Sequence, residues 1–67
     1  MTELDIIAAA VDRLLMHMTT RDLLVLRTAL TLDRQHAATP DTVLFCDDRI
    51  ARIDRILQAR AVRQEDG

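Results

Sequence analysis

Residues 17–30 read HMTTRDLLVLRTAL, and their reading decides the fold. Thr19 followed three residues later by Asp22 has the form of a capping box, with Asp in place of the more usual Glu. Met18 and Leu23 occupy the two positions of a hydrophobic staple across it. One helix is therefore expected to end near His17 and a second to begin almost at once, at 20. A connection this short forces the two helices to fold back or to turn a sharp corner. Beyond the cap runs an uninterrupted series of large aliphatics, Leu23, Leu24, Val25 and Leu26. At about 100° per residue, Leu23, Leu26 and Leu30 fall on one side of the second helix. Val25, Ala29 and Leu32 fall nearly opposite, with Leu24 between the two groups. A helix that is apolar on two faces is normally buried from two directions.

Working outward, the apolar residues of the first segment, Leu4, Ile7, Val11, Leu14 and Met18, recur at steps of three and four, and Ala8 and Leu15 widen the stripe. This spacing predicts a helix over 3–18. Thr2 stands in the N-cap position, with Glu3 and Asp5 in the first turn, where the helix dipole favours acids. The second helix is expected over 20–35. HAATP then reads as a loop in which Thr39 caps a third helix that starts at Pro40, whose missing N–H is not needed there. The apolar row of that helix is Val43, Cys46, Ile50, Ile53 and Leu57, giving a helix over 40–62 and a tail, 63–67, expected to fray. Gly67 is the only glycine and Pro40 the only proline, so no hairpin turn is signalled. The fold class predicted is all-α: one domain over 1–67, built as a three-helix bundle or as a helical hairpin plus a third helix.

The chain has 67 residues, and a chain this short buries only about 60% of the surface that its unfolded form exposes. Cys46 is the only cysteine, so an internal disulfide cannot supply the missing stability. Two neighbouring helices can cover one face of the second helix, and the other needs a second chain. Ile6, Met16, Leu44, Phe45 and Ile56 also lie off the main seams, and exposed together they would form a patch that monomers rarely tolerate. The expected assembly is a two-fold homodimer with Leu24, Val25, Ala29 and Leu32 at its interface.

Groups for catalysis are sparse. His17 and His36 are the only histidines, and neither has a His or Cys at metal-ligand spacing. Cys46 sits on a core row, where a cysteine serves as a small hydrophobe. Asp47 and Asp48 are adjacent, so on a helix they diverge by about 100°. No glycine-rich loop is present to cradle phosphate, and Phe45 is the single aromatic, which removes base stacking as a binding mode. No enzyme activity, cofactor, metal or small-molecule substrate is expected. No window approaches the roughly 18 apolar residues of a membrane span, and MTELD lacks the basic-then-apolar order of a signal peptide, so a cytoplasmic location is expected.

The net charge is −2, yet all nine basic residues are arginine. Phe45, Arg49, Arg52, Ile56, Arg60 and Arg63 share an arc of roughly 80° on the third helix, while Asp47, Asp54 and Glu65 cluster elsewhere. Such a basic stripe with two apolar anchors suits an acidic protein groove or a phosphate backbone. Its plainer role is a solvated flank, with arginine stems covering the core edge and Asp48 pairing with Arg52.

Two stretches, MTTRDLLVLRTAL (18–30) and TPDTVLFCDDRIARIDRIL (39–57), resemble the opening and recognition helices of the helix-turn-helix domain of LuxR-type transcription regulators. The matching positions are Thr19, Arg21, Asp22, Val25, Leu26 and Arg27, then Thr42, Val43, Ile50 and Leu57. The resemblance covers roughly half of the chain and implies a DNA partner. TLDRQHAA, between the two stretches, holds neither the family's glycine nor its middle helix. Leu44 stands where a basic residue is usual, and Asp47 and Asp48 would turn carboxylates towards phosphates. The leading expectation is a small non-enzymatic protein that binds another protein as an adaptor, chaperone or antagonist. A regulator that binds nucleic acid through the Arg49–Arg63 stripe, with a degenerate helix-turn-helix, is the competing one.

Overall fold

Three threonines start three helices. The computed structural model describes residues 2–66, and of residues 64–66 the backbone alone. Helix α1 spans Glu3–His17, α2 Thr20–Gln35 and α3 Pro40–Asp66, with no strand among the described residues. The Thr2 hydroxyl accepts from the Asp5 N–H, and the Asp5 carboxylate accepts from the Thr2 N–H, a complete capping box. At the second helix only half of that box forms: the Thr19 hydroxyl accepts from the Asp22 N–H at 3.1 Å. The Thr39 hydroxyl accepts from the Thr42 N–H at 3.3 Å and starts α3 with Pro40 in its first position. Thr and Asp are suited to these sites because a short side chain can fold back onto the unpaired N–H groups of the first turn.

The corner between α1 and α2 consists of two extended residues, Met18 (φ −75°, ψ 149°) and Thr19 (φ −67°, ψ 157°). The first helix closes at His17, near the expected end, because Met18 has left helical geometry. Met18, on the near side of Thr19, packs against the core of which the fully buried Leu23 is a member. α3 runs to Asp66 rather than ending at 62. No glycine or proline lies between Pro40 and Gly67, and Ala, Arg, Gln and Glu all favour helix. Gly67 lies outside the described residues.

α2 and α3 form an antiparallel hairpin. Arg27 pairs with Asp54, with Nε to Oδ1 at 2.7 Å, and Arg34 pairs with Asp47, so the partners run in opposite order along the two helices. The seam between them holds four of the five apolar residues that are buried among the described ones, Leu23, Leu30, Cys46 and Ile53, and Leu26, Ile50 and Leu57 pack against it. These are the inner faces expected for both helices. α1 lies against α3 through its C-terminal half only: Leu15 is buried, and Asp12 meets Arg52 at 2.8 Å. The arrangement is thus a hairpin plus a third helix.

The expected stripe of α1 is covered only in part: Leu15 is buried and Val11 and Met18 pack against the core. Leu4 is 77% exposed and Leu14 69%, and Ile7 is exposed too. Leu4 lies on the same side of α1 as Leu15, about 16 Å back along the axis at 1.5 Å per residue. Its exposure means that α1 diverges from its neighbours towards its start. The whole chain is correspondingly open. Its radius of gyration is 13.3 Å, against about 11 Å for a compact domain of this length.

Candidate interaction surfaces

Two surfaces carry the residues that stood out in the sequence. The first is the outer face of α2. Leu24, Val25 and Leu32 are 50%, 63% and 52% exposed, and Ala29 is exposed beside them. Thr28 belongs to the same face, and its hydroxyl donates to the Leu24 carbonyl one turn back at 3.0 Å. That bond uses the only donor on the side chain within the helix itself. The face therefore presents methyl and methylene groups with its polar hydrogen already placed.

The second surface is the arginine stripe of α3, where the six residues differ in what they touch. Arg49 stands over the Phe45 ring at 4.4 Å and pairs with Asp48. Phe45 remains half-exposed, whereas Ile56 packs against the core rather than standing free. Arg52 is the most buried cation of the described ion pairs. Its Nε donates to Asp48 and its Nη1 to Asp12, both at 2.8 Å. The Arg52 hydrogen bond holds the Asp48 carboxyl below its ordinary value of 3.8; partial burial opposes this and Arg49 adds to it. Hydrogen bonds to Asp48 and then Asp12 raise the pKa of Arg52 in turn.

Arg60 has a different task. Its guanidinium donates to the carbonyls of Met16 at 3.1 Å and Met18 at 2.7 Å, and to the Thr20 hydroxyl at 3.0 Å. A helix leaves its last carbonyls without partners, and a planar five-donor group can serve several at once. Arg60 so caps α1 from a distant helix, at a corner that has no glycine. Arg63 is exposed, and among the described residues it has no ion-pair partner.

Sequence reasoning did not single out Arg55. With Arg52, Arg60 and Arg63 it lines an open groove of 290 Å³ between α1 and α3. Met16, Ile56 and Ala59 form the apolar part of the groove, and Asp12 is its one acid among the described residues. A helical wheel of α3 alone places Arg55 outside the stripe; only the approach of α1 brings it to the rim.

Cys46 is buried as a member of the core. Among the described residues no group of three or more His, Cys, Asp or Glu side chains is placed to hold a metal, and no helix is long and apolar enough to cross a membrane. The middle helix that the LuxR-type resemblance implies is missing: α2 and α3 are separated by residues 36–39 alone. Of the two acids that would face DNA, Asp47 is paired with Arg34 and Asp48 with Arg49 and Arg52. No family model matches the chain, and no curated protein or solved structure shows a significant match to it.

Proposed function

We propose that this chain is a small non-enzymatic protein that works by binding other proteins, and that its working unit is a two-fold homodimer joined through the outer face of α2. The carrying observation is surface area. The chain exposes 5349 Å², whereas a folded monomer of 7.6 kDa exposes about 4,300 Å². The excess of roughly 1,000 Å² is comparable to the ~800 Å² that each partner buries in an interface of standard size. Leu24, Val25, Ala29 and Leu32 give that interface a continuous apolar centre, and the internal bond of Thr28 lowers the cost of covering it. A binding role as adaptor, chaperone or antagonist accords with the scarcity of catalytic groups. The competing nucleic-acid reading needs cations free for phosphate, and Arg49 and Arg52 are already paired with Asp48 and Asp12.

Sedimentation equilibrium across a concentration range tests the dimer. The wild-type chain is expected at twice the monomer mass, and Val25→Glu with Leu32→Glu is expected to shift it to monomer with helicity retained. A wild-type monomer at every concentration defeats the proposal. An unchanged dimer in the double variant moves the interface off this face.

A further inference from the structure

The groove between α1 and α3 has a polarity that the rest of the molecule lacks. The chain carries a net charge of −2, yet among the described residues four arginines border this groove and the one acid there, Asp12, is neutralised by Arg52. The acceptors of Arg60 are neutral oxygens, so its charge remains, together with those of Arg55 and Arg63. About three positive charges thus surround an apolar floor to which Met16, 60% exposed, contributes. Arg55, Ala59 and Arg63 follow one another at steps of four, placing the outer two about 12 Å apart along α3. The small Ala59 side chain between them lets an incoming group approach the floor closely. At 290 Å³ and open along its side, the space falls just below the usual range for an enclosed small-molecule site, about 300–1,000 Å³.

The geometry points to an acidic amphipathic helix of a partner protein as the occupant. It would lay an apolar side chain over Ala59 and Ile56 and offer two carboxylates, roughly two turns apart, to Arg55 and Arg63. This deepens the protein-binding reading and rests on it. Charge complementarity selects the occupant, because the local positive field steers and orients acidic segments and opposes basic ones. The apolar floor argues for a peptide over a phosphate backbone, which has no greasy side chain to place there.

The test is fluorescence anisotropy with a labelled helix-forming peptide of about 16 residues, bearing two glutamates two turns apart around a central leucine. Its controls are the same peptide with lysines for glutamates, and a single-stranded oligonucleotide. The glutamate peptide is expected to bind, and the lysine peptide is not. Arg55→Glu with Arg63→Glu should weaken binding roughly tenfold or more, and so should Ala59→Trp, which fills the groove without changing charge. Val25→Glu with Leu32→Glu should leave it intact. Equal binding to both groove variants would place the peptide elsewhere, sinking the groove while protein binding itself stands. Failure of the wild-type chain to bind the glutamate peptide, or equal binding of the lysine peptide, also overturns the groove. Preference for the oligonucleotide with steep salt dependence would overturn the groove and the protein-binding reading together.

Discussion

Helix α1 is richer in apolar residues than the α2–α3 hairpin and is nevertheless the less well held of the two. The hairpin buries Leu23, Leu30, Cys46 and Ile53 and has two ion pairs along one edge. α1 buries Leu15 alone, and its polar ties, the Asp12–Arg52 pair and the Arg60 cap, both lie in its C-terminal half or at its end. The difference shows that an apolar stripe is a capacity for burial and that a neighbour within reach is what realises it. Leu4 and Leu15 share a side of α1, and only Leu15 has α3 alongside.

The widest gap between the two regions should appear in the core. Ile53→Ala removes a fully buried side chain and is expected to cost about 2–5 kcal/mol, enough to unfold both regions in a denaturant titration followed by circular dichroism. Selective loss of α1 with the hairpin intact would mean that the seam is not the foundation of the fold. Arg60→Ala is the converse experiment. It removes the guanidinium donor from carbonyls at the corner, and a loss of about 0.5–1.5 kcal/mol is expected. Hydrogen exchange should rise in residues 3–17 well before residues 40–60. Uniform acceleration across both would show that the corner supports the whole molecule.

Acid should act more weakly. The folded-state pKa of Asp48 lies below its ordinary 3.8, so its stabilising contribution is present above that value and is lost as the pH falls through the folded-state pKa. The Tm should fall as the pH drops below 3.8, and Asp48→Asn should flatten part of that fall. A Tm–pH profile identical in the variant would remove Asp48 from the account. Leu4→Ala should do least, under about 0.5 kcal/mol. A loss above about 1 kcal/mol would show that the start of α1 is covered in solution by another chain.

Local features were the most legible in the sequence. Thr2, Thr19 and Thr39 mark their caps because the capping partner lies three residues away. The inner and outer faces of α2 follow from helical spacing, and the core row of α3 likewise. Contacts between distant residues were not legible. A helical wheel puts Arg52, Arg60 and Arg63 on one stripe as equivalents. In space Arg52 joins α1 to α3, Arg60 caps the end of α1, and Arg63 lies at the rim of a groove. What separates them is their height along α3 relative to the end of α1, which no periodicity within one helix encodes. The exposure of Leu4 escaped for the same reason, since spacing names the side a residue is on and not whether a neighbouring helix lies beside it; Leu14 is exposed because it points about 100° away from the buried Leu15.

The Arg60 cap constrains the order in which the molecule can be assembled. The carbonyls of Met16 and Met18 wait for a donor 44 and 42 residues further along the chain. During synthesis, which releases the N-terminal part first, α1 and α2 emerge with their shared corner unsatisfied. It can close only once most of α3 has been made, so a nascent chain stopped short of residue 60 has the helices but not the fastening that sets the angle between the first two.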